Sequence, residues 1–242
     1  MCSVSSQARC FAAPLISNPM CGRFTLTLPP DLLAEIIGEI EAARVQPRYN
    51  IAPTQEVAVV RQDAGGRRHL DYLRWGLIPP WAKDASVGNH MINARSETVA
   101  EKPAFRQAFS SRRCLVLASG FYEWKAEGNR KQPLYVHMKD GGPMVFAGLW
   151  ESWKSPEGAI VESCTILTTN SNSLIRTLHD RMPVILGRSD WDIWLSREAT
   201  REELTLLFQP YPSDLLAMYS VGGGVNSPRN DSPDLLEPLN EP

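Results

Sequence analysis

Several common signatures are missing from this chain. Its 242 residues include only five cysteines (Cys2, Cys10, Cys21, Cys114, Cys164) and four histidines. There is no Cys-x-x-Cys and no Cys/His cluster at zinc spacing, so no zinc finger or paired-cysteine redox motif is expected. An odd set of scattered thiols fits a reducing, cytosolic compartment and no disulfide framework. No apolar run approaches the roughly 20 residues of a membrane-spanning helix. The N-terminal stretch has one arginine, Arg9, and its apolar run from Phe11 to Ile16 is broken by Pro14, too short for a signal peptide. Neither charge dominates. Lys and Arg total 25 against 27 Asp and Glu, a formal net charge of -2. A general polycation is excluded, and a nucleic-acid partner would have to meet a local basic patch. No internal repeat is present.

What is present reads as one globular domain with appendages. Hydrophobic content of 43% and charged content of 21% allow a sizeable core. Residues 1–19, rich in Ser, Ala and Cys, are expected to be an extension: either translation starts at Met20 or the segment is a removable leader. Residues 20–225 form the domain. The tail from Val221 is rich in Gly, Pro, Asn and Asp, and residues 226–242 are expected to be disordered.

Within the domain, Leu32, Leu33, Ile36, Ile37 and Ile40 recur at helical spacing, predicting a helix over Asp31 to Ala43 with Asp31 as its cap. Glu56 to Gln62 and Arg68 to Trp75 read as strands joined through Ala64-Gly65-Gly66. Arg113 to Ser119 and Phe121 to Lys125 form a further β region that turns at Gly128-Asn129. Pro133 to Lys139 and Pro143 to Trp150 flank Asp140-Gly141-Gly142, a hairpin signal. Ile160 to Thr168 is a strand. Short helices are expected at Asn170 to Thr177, Asp190 to Leu195 and Glu202 to Phe208. Consecutive hairpins with few helices between them predict an α+β fold with a curved antiparallel sheet.

Four segments place unusual polar residues among apolar ones. Met20-Cys21-Gly22-Arg23-Phe24 puts a cysteine directly after a methionine. Buried, Cys21 is only a small hydrophobe. As a first residue it carries a thiol and a free amine on adjacent carbons. With an α-amine pKa of about 7.7–8.0, roughly a third of such amines are unprotonated at pH 7.5. The amine can form an imine with an aldehyde, and the thiol can close on the imine carbon to give a thiazolidine. In Ile92-Asn93-Ala94-Arg95-Ser96-Glu97, Asn93 either satisfies a turn or holds a thiol or amine. Arg95 either pairs with Glu97 or grips a phosphate. Gly120-Phe121-Tyr122-Glu123-Trp124 sets Glu123 in a strand, sharing a face with Phe121 and Lys125 while Tyr122 and Trp124 share the other. Exposed, Glu123 is an ordinary surface charge. In a partly apolar pocket its pKa would rise and suit it to acid–base work. In Leu178-His179-Asp180-Arg181-Met182-Pro183, His179 either favours a helix C-terminus or shuttles protons. Arg181 is a second candidate for a phosphate. Two rigid loops, Pro47 to Pro53 and Trp75 to Trp81, add Asn50, Pro53 and an aromatic face at Trp81 on which a base could stack.

In this order, these segments resemble the SRAP (SOS-response-associated peptidase) family of abasic-site processing proteins, from about Met20 to Ser220. The motifs are Met20-Cys21-Gly22-Arg23-Phe24, Arg48 to Pro53, Trp75 to Pro79, Ile92 to Arg95, Gly120 to Trp124 and His179 to Pro183. The resemblance implies a pseudo-β-barrel core with flanking helices and no metal or organic cofactor. It implies a partner, single-stranded DNA containing abasic sites, whose aldehyde Cys21 would capture as a thiazolidine crosslink. It implies self-processing that exposes Cys21, which would give an enzyme with autopeptidase and lyase-like chemistry. Asn93 would position the cysteine, and Glu123 and His179 would serve as the acid–base pair. Arg23, Arg95 and Arg181 would hold phosphates, while Asn50, Pro53 and Trp81 line the DNA site. Ala82 follows Trp81 where some relatives carry another bulky aromatic. The protein is expected to be a monomer, with no membrane partner, in the cytoplasm or on the nucleoid. The same residues leave two other readings open: a thiol peptidase built on Cys21, His179 and Asn93, and a non-catalytic single-strand-binding module.

Overall fold

The computed structural model of the chain describes residues 22–128 and 130–239. The expectations for residues 1–19, Cys21 and Asn129 lie outside them. Two β layers share one core. The first is a five-stranded antiparallel sheet in the order β12-β8-β7-β1-β2, built from β1 (Phe24–Leu26), β2 (Arg48–Ile51), β7 (Gly120–Glu127), β8 (Arg130–Met138) and β12 (Leu216–Ser220). The second runs β10-β4-β3-β6-β9 through β3 (Glu56–Gln62), β4 (Arg68–Trp75), β6 (Arg113–Ala118), β9 (Met144–Lys154) and β10 (Ile160–Asn170). Pairing of β10 with β9 closes these five strands into a barrel. Two short strands, β5 (Asn93–Arg95) and β11 (Arg181–Pro183), join the end of β10.

Closure explains the sequence pattern of the barrel. All six residues of β6 are buried, as are Val57 to Val60 of β3. A strand covered on both faces needs apolar residues at successive positions, not alternate ones. The layers meet through aromatic edges: the Phe146 ring lies 5.8 Å from Phe24 and 6.3 Å from Phe121. Helices are few and short: α1 (Pro30–Ile37), α2 (Glu39–Ala42), α3 (Arg106–Ser111), α4 (Trp191–Leu195) and α5 (Arg201–Leu206). The α+β class and barrel-like core are therefore those expected.

Four local expectations change. The helix over Asp31 to Ala43 is broken at Gly38 into α1 and α2, so Ile40 leaves the apolar stripe and is 84% exposed. Asp31 lies inside the first turn, where its charge suits the helix dipole, and Pro29 takes the cap position. Of the helix expected over Asn170 to Thr177, only a single 3-10 turn at Ile175–Thr177 forms, because β10 runs on to Asn170. The Asp140-Gly141-Gly142 turn forms, with the Gly142 N–H donating to Asp140 Oδ1 at 2.8 Å. It makes no hairpin: β8 pairs with β7 and β12, and β9 pairs with β6 and β10. The turn is the corner at which the chain passes between layers. Turn chemistry fixes the reversal, whereas the partner is set by burial farther away.

The fourth change is at the C-terminus. The segment expected to be disordered from about Asn226 is folded through Leu239. Val221 bridges to Pro238, and 3-10 turns form at Gly223–Asn226 and Pro233–Leu236. Val225 and Leu235 are buried, Val225 with Tyr122 and Tyr135 in a small second core. Hydrogen bonds from side chains to this segment's backbone compensate for its few apolar residues.

Candidate active site

The site has two walls. The first belongs to the five-stranded sheet. In it Phe24 faces Phe121 and Thr25 faces Gly120, and the Tyr122 N–H extends the ladder to Arg23 O at 2.9 Å. This register, carried one residue further, brings Gly22 level with Glu123. Glu123 is 6% exposed. Strand alternation puts it on the face of Phe121, which joins the main core, while Tyr122 joins the second core. Gly120 is required here. A Cβ would stand 2.4 Å from Val136 O and 2.5 Å from Tyr135 Oη, and Tyr135 needs that space to reach Thr25 Oγ1 at 2.9 Å.

Arg23 is anchored on this wall. Its Nη1 donates to Asn50 Oδ1 at 2.7 Å and to Val225 O at 2.6 Å, and its guanidinium lies 5.9 Å from the Trp124 ring centroid. Burial lowers its pKa. Asn50 is fully buried, and its Nδ2 donates to the carbonyls of Val225, Ser227 and Asn230 at 3.3, 3.0 and 2.8 Å. The Asp231 carboxylate accepts from Arg48 Nε at 2.5 Å and from the backbone N–H groups of Tyr49 and Asn50 at 2.5 and 3.1 Å. The C-terminal segment is thus fastened to β2, and Asn50 fastens Arg23 to both.

The second wall is the end of β10 in the barrel. On one edge β5 pairs with it in parallel, Asn93 opposite Ile166 and Arg95 opposite Thr168. On the other, β11 pairs antiparallel, Arg181 opposite Asn170 and Met182 opposite Thr169. Asn93, Arg95, His179 and Arg181 therefore gather around one strand end. Arg95 is exposed. Arg181 is 6% exposed and already engaged. It makes a two-pronged ion pair with Glu97, through Nη1 to Oε1 and through Nη2 to Oε2 at 2.8 Å. It also donates to Asn170 Oδ1 at 3.0 Å and Thr168 O at 2.6 Å. Arg181 is thus held inside the protein where a free phosphate ligand was expected, and it, not Arg95, is the partner of Glu97.

His179 Nδ1 lies 2.8 Å from Asp180 Oδ1 and 3.1 Å from the Arg181 N–H. The first contact needs a proton on Nδ1 and the second needs a lone pair, so they belong to different states of the ring. Exchanging one for the other exchanges the acid and base roles of Nε2.

Trp75, like Phe146, ties the walls together. The Trp75 ring lies 5.1 Å from Phe24, and its Nε1 donates to the carbonyl of Ile92, next to Asn93, at 2.9 Å. Its own carbonyl accepts from Thr54 N at 2.8 Å. Thr54 has a φ of 73°, uncommon for a β-branched residue, and it directly follows Pro53. Beyond Trp75, Gly76 has a φ of 121°, and a Cβ there would stand 2.5 Å from Gly88 O. That close crossing directs the loop toward Trp81. The Trp81 side chain is 60% exposed, and the neighbouring Ala82 carbonyl is held by Trp153 Nε1 at 2.8 Å. Sequence reading placed Trp75 in a motif but gave it no role. Its position between two motif loops was the available signal. Glu97 and Asp231 were also missed as site residues, because their partners lie 84 and 183 residues away.

Among the described residues, no group of three or more His, Cys, Asp or Glu side chains could hold a metal ion, and no helix is long and apolar enough to cross a membrane. Cys114 and Cys164 are fully buried, and burial pushes both thiols up, Cys164 to about 12. Such thiols are poor nucleophiles near neutral pH.

Known proteins resemble this chain in sequence and in fold. The chain is 45% identical over 223 residues to the abasic site processing protein YoqW of Bacillus subtilis (strain 168), covering 90% of this chain and 99% of the relative. It is 29% identical over 263 residues to abasic site processing protein HMCES of Xenopus tropicalis, covering 90% and 78%. A solved protein from Bacteroides thetaiotaomicron shares the fold with a TM-score of 0.80 at 24% identity, covering 91% of this chain and all of the other. The sequence pattern of the SOS response associated peptidase (SRAP) family matches residues 20–228, and the chain belongs to that family.

Proposed function

We propose that this protein processes abasic sites by capturing them covalently in single-stranded DNA through the 1,2-aminothiol of Cys21. The observation that carries this reading is the link that Trp75 makes between the two walls. The residue after Cys21 is level with the buried Glu123, and Trp75 links that strand to the loop carrying Asn93. The names of relatives such as YoqW and HMCES support the substrate class.

The chemistry requires a free amine, so the peptide bond before Cys21 is hydrolysed first, consuming one water. In our reading this is self-processing. The abasic deoxyribose opens when its anomeric hydroxyl loses a proton and its ring oxygen gains one, exposing the C1 aldehyde. Glu123 and His179 carry these protons. The amine adds to the aldehyde and water leaves, giving an imine. The thiol sulfur then bonds to the imine carbon while the nitrogen takes up a proton, closing the thiazolidine. From mature protein and open aldehyde to thiazolidine, one water is released and nothing is oxidised or reduced. Asn93 orients the amine and thiol. Exposed Arg95 meets the phosphodiester backbone, and Trp81 offers a face for a neighbouring base. Arg23 adds positive charge to the rim from its anchored position, whereas the charge of buried Arg181 is balanced by Glu97. Every group named is on one chain, so a monomer suffices.

Intact-mass measurement with and without an abasic oligonucleotide tests the proposal. The expected adduct has the summed mass of mature protein and oligonucleotide less one water. Cys21→Ala abolishes it and retains non-covalent binding. A Cys21→Ala protein that still forms the adduct overturns the assignment. Turnover of unrelated polypeptides in trans would favour the thiol peptidase instead, and cleavage only before Cys21 favours self-processing.

A further inference from the structure

Glu97 has no role in the chemistry above, yet it has a defined place beside it. β5 and β11 attach to the end of β10 along opposite edges. The backbone ladders hold each to β10. The two-pronged contact of Glu97 with Arg181 ties the chain just after β5 directly to β11. Arg181 is buried and also bonded to Asn170 Oδ1 and Thr168 O, so all its Nη contacts are internal. Its backbone N–H is the donor to His179 Nδ1. A continuous path therefore runs from the Glu97 carboxylate through the Arg181 side chain and backbone to the imidazole.

That path selects a ring state. When the Arg181 N–H donates to Nδ1, the neutral ring carries its proton on Nε2. The competing contact to Asp180 is made by a carboxylate that is 85% exposed, and a solvated partner of this kind constrains the ring little. The internal contact is the one the protein can enforce.

We propose that Glu97 is a positioning residue for the reaction: by fixing Arg181, it holds His179 in the Nε2–H tautomer and keeps the Asn93 and His179 segments in register. The kinetic part of this inference rests on the abasic-site reading of the site, whereas the tautomer part does not.

The test uses Glu97→Gln, which preserves shape and removes charge, together with Arg181→Gln and the double variant. Two measurements are made. The first compares the rate of adduct formation with affinity for an intact single strand. We expect the Glu97→Gln rate to fall at least about tenfold, part of the roughly 10²–10⁴-fold that a placed acid–base group supplies, with affinity unchanged. The double variant should be no slower than the slower single, because the pair acts as a unit. The second is the ¹⁵N spectrum of the His179 ring at a pH where it is neutral. Wild type should show the Nε2–H form, and Glu97→Gln a mixture of both tautomers.

An unchanged rate, or the same tautomer in both proteins, overturns the proposal. So does tighter binding with a salt slope steeper by about 0.7, the signature of one added phosphate contact, since Glu97 would then merely screen Arg181. If Glu97→Gln does not fold, the double variant, which leaves no charge unpaired, carries both measurements. A wild-type protein that forms no adduct refutes the proposed function and leaves the tautomer measurement decisive for Glu97.

Discussion

The two walls of the site are built by different means. The barrel wall rests on backbone ladders: β10 pairs with β9, β4, β5 and β11. In the sheet wall, β7 pairs with β8 along its length, while among the described residues the ladder between β7 and the N-terminal strand runs to Arg23. Beyond that, the wall depends on side chains of Arg23, Arg48, Asn50 and Asp231 bonding to one another and to the backbone of the C-terminal segment. A ladder loses little when one side chain changes. A network of side-chain contacts loses several bonds at once. The contrast makes the attachment of the C-terminal segment to the sheet wall more sensitive to point substitution than the strand pairing of β10.

Trp75→Ala should have the largest effect, because it removes one of the two aromatic links between the walls, leaving that of Phe146. Loss of a fully buried tryptophan costs about 3–5 kcal/mol, measurable by urea denaturation. A cost near that of a surface substitution would mean that Trp75 does not couple the walls. Gly120→Ala comes next. The collision with Val136 O and Tyr135 should cost about 1–3 kcal/mol by overpacking and displace the Gly22–Glu123 juxtaposition, read as lower stability and slower adduct formation together.

Asp231→Ala sharpens the comparison directly. It leaves the Tyr49 and Asn50 N–H groups and Arg48 without this acceptor, at about 1–3 kcal/mol. Hydrogen exchange should quicken in residues 223–239 and β2 while β10 stays protected. Equal acceleration in both walls would show that they open as one unit.

The smallest effects lie at the extremes of pH, where the walls should respond at opposite ends. The hydrogen bond from Arg181 holds the Glu97 carboxyl below its ordinary value of 4.5. Its contribution to the barrel wall is present above that value and is lost as pH falls through the lower folded-state value. Burial pushes Tyr135, under the C-terminal segment, up to about 12 from 10.0. Its contribution is present below pH 10 and lost as pH rises through about 12. Melting profiles of Glu97→Gln and Tyr135→Phe should flatten the acid and alkaline limbs respectively. Neither limb moving would remove the assigned causes.

The sequence was most legible where the controlling physics is local. β3 and β4 fall on Glu56 to Gln62 and Arg68 to Trp75 as expected, because apolar strand patterning and the intervening glycines sit within a few residues. The site motifs could be named for a similar reason, each being a polar residue in an apolar run. Partnership over long separations was not legible. The Asp140-Gly141-Gly142 turn looks the same whether its flanking strands pair or part. Arg181 carries no mark that Glu97, rather than a phosphate, lies opposite. The composition of the tail suggested disorder because its order comes from Asn50 and Asp231 bonding to backbone, which apolar counting does not register.

The contact between Arg23 and Val225 spans 202 residues of chain. During synthesis at about 5–20 residues per second, the second partner follows the first by roughly 10–40 s. Arg23 is thus made well before the carbonyl that fastens it. Any step that needs Arg23 in its anchored position must wait for that interval to pass.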